Sequence, residues 1–370
     1  MKLTACVKLQ PTAEQAHALR QTLERANAAC NHISAWAWKH QTFGQWALHR
    51  ALYRKIRATF HLSAQVTVRV LAKVADAYKL DKRRKRVFLA TGSIAYDERI
   101  LRWHLMNSTV SLWTLQGRMT MPFVCGERQR QLLVTQQGES DLAYVDGAFY
   151  LCATCNVETP DPADVQGVLG CDLGIVNILA DSDGNTYSGA MVNGLRHRHR
   201  RLRKRLQAKG TPSARWLLKK RRRKERRFAT DTNHRISKAV VAHAQGTGRA
   251  LALEDLGGIR DRLTVQKRQR ATLSSWSFGQ LRQFLTYKAQ RAGVLLLLVD
   301  PRHTSRTCPV CGGIDQRNRP TQARFCCVSC GCSGPADTIA AENIRRAAVN
   351  LPHAGGSLVS CHTLPASRRL

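Results

Sequence analysis

Three carboxylates stand out because the chain is poor in acids, with 25 Asp and Glu against 59 Lys and Arg. Asp172 lies within an apolar, strand-like run, Glu254 ends another, and Asp337 opens a helical segment. A carboxylate in an apolar strand costs free energy unless it is paired, and open α/β sheets place their ligand sites at strand ends. If the three side chains converge, they predict a site for Mg²⁺ or Mn²⁺, which prefer oxygen ligands. Taken alone, Asp337 would more often be a helix N-cap.

A second set of chemistry-bearing residues is a pair of CxxC motifs separated by fifteen residues. This spacing is typical of tetrahedral Zn²⁺ bound by four thiolates, with a redox pair or inert thiols as the alternative. Cys326 and Cys332 are neighbours that could substitute as ligands. Cys327 is preferred over Cys326 because both motifs then have the same two-residue gap. The predicted zinc ligands are Cys308, Cys311, Cys327 and Cys330.

A further CxxC, Cys152 and Cys155, lies on a predicted strand and has no second pair in sequence. We interpret it as two buried thiols. The chain has thirteen cysteines, and in a reducing compartment such a number favours metal ligation over disulfides.

The most basic segment covers residues 195–228, of which seventeen are Lys or Arg. Apolar residues at intervals and the break at Gly210-Thr211-Pro212 predict two basic amphipathic helices joined by a turn. A solvated helical face is the alternative, but like charges at helical spacing repel one another without a polyanion. The predicted nucleic-acid-binding residues are Arg196, Arg198, Arg200, Arg201, Arg203, Lys204, Arg205, Lys219, Lys220, Arg221, Arg222 and Arg223.

The formal net charge of +34 extends this argument to the whole chain. Self-repulsion on that scale favours a polyanionic partner, and phosphate contacts supply most of the affinity of nucleic-acid binding. An anionic membrane is the competing partner, but no apolar run approaches the 18 residues of a span. The sequence Leu3-Thr4-Ala5-Cys6 is similar to a lipoprotein box, but it lacks a preceding apolar segment. We therefore expect an intracellular protein without membrane association.

The positioning elements follow from periodicity. Residues 3–9 alternate like a strand, and residues 12–80 have three stretches of helical period. From residue 87 to 158 the period approaches two, which predicts a small antiparallel barrel or sandwich. Predicted strands include 87–89, 100–105, 110–113, 131–134 and 148–151. The basic connector 81–86 is either a solvated loop or a phosphate contact.

The second half has a different pattern. Residues 167–189 predict three strands, the last two joined by a Ser-Asp-Gly-Asn turn. A helix at 236–244, a strand at 249–256, a helix at 277–292 and a strand at 294–300 then suggest an α/β layer. Residues 257–275 are polar and basic, and we expect a loop there that gates the site.

Three motifs together carry a family resemblance: GCDLGIVNILADSDG from Gly170, LALEDL from Leu251, and the series TSRTCPVCG, RFCCVSCG and ADTIAAENI from Thr304 to Ile344. In this order they resemble the TnpB family of transposon-encoded RNA-guided endonucleases and its relatives, the compact type V CRISPR effectors. The resemblance covers about residues 167–348 well, and the first half more loosely.

The resemblance implies a multidomain α+β protein. It has an RNase H-like RuvC nuclease domain at 165–304 and 333–352, with a zinc ribbon inserted at 305–332 to bind target nucleic acid. An oligonucleotide-binding-like wedge β-barrel at 1–10 and 85–160 is interrupted by a helical recognition domain at 11–84. Residues 353–370 form a tail.

The implied activity is hydrolysis of DNA phosphodiester bonds by two metal ions, Mg²⁺ or Mn²⁺, with Zn²⁺ in a structural role. Asp172, Glu254 and Asp337 are then the catalytic metal ligands. The implied partners are a guide RNA, which selects the target by base pairing, and double-stranded target DNA beside a short flanking motif. We expect a prokaryotic cytoplasmic protein, nucleoid-associated when bound to DNA. The oligomeric state, monomer or dimer, is left open.

One residue departs from the family pattern. Relatives commonly have Asn two residues after the third acid, where this chain has Ile339. This departure is the one feature that favours a nuclease-inactive RNA-guided repressor. The sequence is also compatible with a compact type V CRISPR effector, with a transposase acting without RNA, and with a zinc-ribbon nucleic-acid-binding protein.

Overall fold

The computed structural model describes residues 1–162, 164–256 and 278–350. The chain divides into two compact units, Met1–Glu158 and Thr159–Leu370. The predicted gating loop at 257–275 and the tail at 353–370 lie outside the described residues. Within the described ranges no helix is long and apolar enough to cross a membrane.

Three helices follow the first strand, β1 (Lys2–Leu9), in the first unit: α1 (Ala13–Lys39), α2 (Gln45–Phe60) and α3 (Ala64–Leu80). The boundaries follow from capping. Thr12 caps α1 in a capping box with Gln15, and Ser63 Oγ accepts a hydrogen bond from the Val66 amide at the start of α3. The three predicted helical stretches are therefore confirmed, as is the strand at 3–9.

The same unit contains a seven-stranded antiparallel sheet. Its edge strands, β2 and β3, are consecutive in sequence and only four residues apart, so the sheet curls into a nearly closed barrel. One apolar core joins the helices to this sheet. In spatial order the strands are β2 (Ile94–Tyr96), β6 (Gln136–Val145), β7 (Ala148–Asn156), β1, β5 (Gly117–Val124), β4 (Thr109–Thr114) and β3 (Leu101–His104).

Two strand predictions in this unit are wrong. Residues 131–134 belong to a helix, α4 (Glu127–Val134). Leu133 is the buried residue of this helix. Residues 87–89 are not in a strand because the side chain of Asn31 takes both hydrogen-bonding groups of the Phe88 backbone, at 2.8 Å each. The connector at 81–86 lies between α3 and β2 without regular structure.

The interpretation of Cys152 as a buried thiol is also wrong. Cys6 and Cys152 are direct cross-strand partners of β1 and β7, and they form a disulfide. The register explains the pairing, since the Cβ atoms of directly opposed residues lie within disulfide range. Cys155 is a buried free thiol, as predicted.

The second unit is built on a five-stranded sheet with the order β10-β9-β8-β11-β12. The strands are β8 (Val168–Asp172), β9 (Asn177–Asp181), β10 (Thr186–Ser188), β11 (Ala250–Glu254) and β12 (Leu296–Val299). β8, β11 and β12 are parallel, whereas β9 and β10 are antiparallel to their neighbours. The predicted turn joins β9 to β10, and Gly184 in it has a φ of +91°, which favours glycine.

Helices accompany this sheet, and those in the described part of the unit are α5 (Ala190–Lys209), α6 (Pro212–Gly246), α7 (Phe278–Ala292) and α8 (Ala336–Val349). Strand residues alternate between the two faces. Leu169, Cys171, Leu251 and Leu253 pack against α6 and α7, whereas Val168, Ala250 and Ala252 pack against α8. This alternation determines which face of the sheet the side chain of the last residue in β8 and in β11 belongs to.

Candidate active site and metal centre

The ends of β8 and β11 place two of the three predicted acids side by side. Leu253 is the register partner of Cys171, so the next residues, Glu254 and Asp172, end the two parallel strands at the same edge. By alternation both belong to the face that α8 covers. Asp337 is the second residue of α8 and lies in its first turn. The geometry therefore brings a carboxylate from three separate elements to one place.

The close approach of α8 to β8 requires a glycine at position 170, because any side chain there would meet the helix. A Cβ atom built on Gly170 would lie 2.1 Å from the Ala341 carbonyl oxygen and 2.6 Å from the Arg345 nitrogen. Both are backbone atoms of α8, which cannot move aside locally. Glycine at this position is thus what lets the helix lie against β8 two residues before Asp172.

The electrostatics of the site reflect three carboxylates in a poorly hydrated position. Burial, together with the negative charges of Glu254 and Asp337, raises the pKa of Asp172 to about 7. Burial also raises the pKa of Glu254. Arg319 opposes both shifts through its positive charge. Three acids against one guanidinium leave an excess of negative charge, which a divalent cation would balance.

Glu254 is oriented by a neighbouring hydroxyl. Thr304, itself buried, donates its hydroxyl proton to Glu254 Oε1 at 2.5 Å. The loop that carries Thr304 is held by α8, because Asn343 Nδ2 donates to the carbonyl oxygens of Thr304 and Thr307, both at 2.7 Å. A fixed hydroxyl on one carboxylate oxygen leaves the other oxygen of Glu254 available as a ligand.

Asp337 is oriented by two donors. Asn177 Nδ2, at the start of β9, donates to Asp337 Oδ2 at 2.9 Å. Arg319 donates to Asp337 Oδ1 at 3.4 Å from the segment that follows the short 3₁₀ helix Gln316–Asn318. The segment between the two cysteine motifs therefore contributes a cation to the acidic site.

The departure at Ile339 has a structural explanation. Its side chain packs against the small core formed by Cys308, Phe325, Cys327 and Ala336. The amide hydrogen bond to the third acid comes instead from Asn177. The Ile side chain at this position thus does not leave Asp337 without an amide partner.

The three acids are less tightly grouped than the four cysteines of the metal centre. Within the part of the chain that the structure describes, the one group of three or more such side chains with ligand atoms all within 4.8 Å of one another is the cysteine cluster. The oxygens of Asp172, Glu254 and Asp337 do not form such a group. Their residue types are those that Mg²⁺ or Mn²⁺ prefer.

The cysteine cluster contains Cys308, Cys311, Cys327 and Cys330. Sulfur–sulfur distances of 3.5 Å and 3.6 Å across the two motifs are close to the roughly 3.8 Å edge of a tetrahedron with Zn–S bonds of about 2.3 Å. The preference for Cys327 over Cys326 agrees with this geometry, and Cys332 packs beside the cluster without joining it.

Both cysteine motifs have the same backbone turn. The amide of Gly312 donates to the Cys308 carbonyl and that of Gly331 donates to the Cys327 carbonyl, at 3.0 Å each. Both glycines have a φ of +73°, in the left-handed region. The hairpin of β13 (Arg324–Cys326) and β14 (Ser333–Pro335) joins the second motif directly to α8.

The predicted basic helices form an αα-hairpin. Gly210 ends α5 with a φ of +63°, and Thr211 caps α6 by accepting a hydrogen bond from the Ala214 amide. Between the helices, Glu225 accepts from Arg203 at 3.2 Å and lies 3.1 Å from the buried His199 ring. The turn prediction is confirmed, and α6 is longer than predicted because it continues to Gly246.

Ten of the twelve predicted nucleic-acid-binding residues are exposed on this hairpin. The exceptions are Arg196 and Arg223, which are half-buried. Arg196 lines a small cavity beside Ile178 and Val192, and burial lowers its pKa. The exposed cations are therefore better placed for a polyanion than these two.

Thr304, Asn177 and Arg319 belong to the site although the sequence did not single them out. Thr304 opens the first zinc motif and Asn177 lies in the motif around Asp172, so position in the motifs is a usable signal for both. Arg319 is one of many arginines in a basic chain, and its sequence context carries no such signal.

Comparison with known proteins agrees with this geometry. The family model of the Cas12f1-like TNB domain matches residues 278–344. The CRISPR-associated endodeoxyribonuclease Cas12f1 of Sulfoacidibacillus thermotolerans is 41% identical over 119 residues, or 32% of this chain and 26% of that protein. Cas12f1 of Syntrophomonas palmitatica is 30% identical over 186 residues, or 45% of this chain and 36% of that protein.

The TnpB-like protein MJ0751 of Methanocaldococcus jannaschii is 27% identical over 165 residues, or 41% of this chain and 59% of that protein. The chain in the cryo-EM structure of the Cas12f1-sgRNA-target DNA complex has a TM-score of 0.63 at 15% identity, covering 90% of this chain and 83% of that one. This structural match establishes a shared fold.

The chain is therefore similar to TnpB proteins and compact type V effectors, which supports the resemblance that its motifs carry. It matches about a quarter to three-fifths of the length of these curated relatives.

Proposed function

We propose that this protein is an RNA-guided DNA endonuclease of the TnpB type, which hydrolyses phosphodiester bonds with two divalent metal ions. The observation that carries the proposal is the convergence of Asp172, Glu254 and Asp337, with Arg319 beside them. A protein that only bound nucleic acid would gain nothing from an excess of buried negative charge, because that charge repels phosphate.

The order and direction of the strands support an RNase H-like RuvC assignment for the second unit. Three parallel strands with two antiparallel strands on one side put the first and second acids on adjacent parallel strands. The third acid is on the helix that covers their shared face. The zinc ribbon and its target-binding role, and the wedge and recognition domains of the first unit, are parts of the same proposal.

The chain's own groups then have distinct tasks. Thr304 fixes one oxygen of Glu254, and Asn177 fixes one oxygen of Asp337, whose other oxygen accepts from Arg319. When bound, a pair of Mg²⁺ or Mn²⁺ ions would activate a water and stabilise the leaving oxygen. Arg319 is placed to leave Asp337 and contact the negatively charged phosphate, whose developing charge it would stabilise.

The guide RNA and the target DNA are proposed as partners on two grounds. Two relatives are named endodeoxyribonucleases, and the complex with the shared fold contains an sgRNA and target DNA. The exposed cations of the α5–α6 hairpin supply the charge that a nucleic-acid backbone requires. A prokaryotic cytoplasm is the compartment that such partners imply.

The proposal is tested with the ribonucleoprotein. RNA that copurifies with the full chain is sequenced, a matching guide is prepared, and cleavage is measured on DNA with a complementary target in about 5 mM Mg²⁺, a concentration on the order of ordinary Mg²⁺ site occupancy. We expect target-dependent double-strand cleavage that is lost in Asp172→Ala and in Glu254→Gln, while RNA binding remains.

The matched control is Asp300→Asn. Asp300 directly follows β12, the third parallel strand, but it is exposed and outside the acidic site. It should cleave like the unaltered protein. Target binding without any cleavage in Mg²⁺ or Mn²⁺ would favour the nuclease-inactive repressor, and absence of bound RNA would favour a transposase that acts without RNA.

A compact type V CRISPR effector is the second candidate. It is favoured by the local identity to two Cas12f1 proteins, 41% over 119 residues and 30% over 186 residues. Both candidates predict the same chemistry. Sequencing of the copurified RNA separates them, since a CRISPR effector binds repeat-derived RNA and a TnpB protein binds RNA from its own element.

A further inference from the structure

The helix α2 in the first unit carries an unusual exposed side chain. Trp46, in its first turn, is 85% exposed. The opposite side of the helix is fully used for packing, because Leu48, Leu52 and Ile56 are buried in the core of the unit. Trp46 thus does not pack against that core, and the fold of the unit does not explain why a tryptophan occurs at this position.

The residues that share a face with Trp46 are mostly cations. Arg50, Tyr53 and Arg57 follow it at intervals of four, three and four residues, which is the spacing of one helical face. Arg54 flanks this row. The row spans about 16 Å along the helix axis, from eleven residues at about 1.5 Å each.

These cations have no internal partner. Among the residues that the structure describes, the side chains of Arg50, Arg54 and Arg57 form no ion pair or hydrogen bond. The reason is already visible in the sequence, because no Asp or Glu occurs between Glu24 and Asp76. A solvent-exposed row of this kind is uncompensated until an anion binds.

We propose that the exposed face of α2, defined by Trp46, Arg50, Arg54 and Arg57, binds single-stranded nucleic acid, with the Trp46 ring stacked on a base. Arginines that follow a strand backbone, next to an aromatic ring that accepts any base, are the combination found in single-strand binding. The inference rests on the proposed function in taking nucleic acid as the partner, but it needs no cleavage.

A second copy of this chain is the competing occupant, since exposed Trp residues also occur at protein interfaces. A two-fold contact would place the same face opposite itself. Arg50, Arg54 and Arg57 of both copies would then meet without an acid on either helix. Charge complementarity therefore favours a polyanion over a second α2.

The test compares a sixteen-nucleotide oligo(dT) with a strand of equal length that has abasic sites and the same phosphates. Binding of the full chain, freed of RNA at high salt, is measured without divalent metal by fluorescence anisotropy. Trp46→Ala should weaken oligo(dT) binding by about 5- to 100-fold, the range for loss of one stacked base. It should leave binding of the abasic strand unchanged, and Trp46→Phe should restore most of the loss.

The contribution of the arginines on this face is measured separately, through the salt dependence of binding. The double variant Arg50→Ala, Arg54→Ala should weaken both strands and reduce the slope of log affinity against log salt by about 1.4, from about 0.7 per lost contact. Met106→Ala is the control for removal of an exposed apolar side chain, because Met106 is 95% exposed in the turn between β3 and β4.

Equal loss on both strands in Trp46→Ala, or no loss on either, would overturn the stacking role. A change from dimer to monomer in Trp46→Ala with unaltered oligo(dT) binding would assign the face to a second copy. Because all measurements omit divalent metal, failure of the cleavage assay in the preceding section leaves this result interpretable.

Discussion

Burial and the neighbouring carboxylates disfavour the ionised form of Asp172, and this gives a prediction that tests whether the three acids converge. Asp172→Asn replaces the carboxylate by a neutral group of the same shape. In the absence of Mg²⁺ we expect the variant to be more stable than the unaltered protein at pH 8, although it has lost one of the three proposed metal ligands. The gain comes from removal of a charge that burial, Glu254 and Asp337 disfavour.

The magnitude follows from the pKa of Asp172, which is about 7 in the folded chain and about 3.9 in an unfolded one. Between these values the folded chain holds a proton that the unfolded chain has lost, so stability falls as pH rises through this interval and is level above it. The difference between variant and unaltered protein is then on the order of 4 kcal/mol at pH 8 and less than half of that at pH 5.

Amide hydrogen exchange of the β8 and β11 segments is the suitable assay, because it reports local opening in one unit. Both proteins are compared at the same pH, so intrinsic exchange rates cancel. Zinc is retained and Mg²⁺ is removed by dialysis. Addition of Mg²⁺ should then protect the unaltered protein and leave Asp172→Asn unchanged, since the variant lacks one ligand.

The reasoning fails if the variant and the unaltered protein differ by the same amount at pH 5 and pH 8. It also fails if Asp172→Asn is less protected at pH 8 without Mg²⁺. Asp300→Asn, which removes an exposed carboxylate at the end of β12, should show no such pH-dependent difference.

Three further predictions concern the supports of the site. Gly170→Ala should destabilise the second unit by more than about 3 kcal/mol in denaturant unfolding and abolish cleavage, because its Cβ meets the α8 backbone, whereas Gly194→Ala, with open space in α5, should stabilise by about 1 kcal/mol. Thr304→Val should lower kcat and raise the Mg²⁺ concentration for half-maximal cleavage about tenfold, and Thr304→Ser should retain near-normal values, since only the hydroxyl orients Glu254. Cys327→Ser should reduce bound zinc, measured by atomic absorption, from one ion towards none and lose cleavage with it; normal cleavage without zinc would refute the link.

Much of the site could be predicted because its parts are local in sequence. Strand periodicity indicated β8 and β11, and each strand ends at its acid. Equal gaps in the two CxxC motifs selected Cys327 over Cys326. The resemblance to a family then supplied the partnership of Asp172, Glu254 and Asp337, which spacing alone left open.

The errors arise where distant contacts decide local structure. The β-like run at 131–134 is helical, and the run at 87–89 is held by the Asn31 side chain from α1. The Cys6–Cys152 disulfide depends on the register of β1 against β7, across 146 residues of sequence. Arg319 could not be found because its contact with Asp337 depends on where the fold places the segment between the two cysteine motifs.

The position of α8 has a consequence for how the protein is made. The three acids occur in the order 172, 254 and 337, so the last is synthesised 165 residues after the first (337 − 172). A chain on the ribosome that has not yet reached residue 336 lacks both the third acid and the helix that covers Val168, Ala250 and Ala252. Interrupted synthesis therefore yields fragments in which the carboxylate site is incomplete and the sheet face under α8 is uncovered.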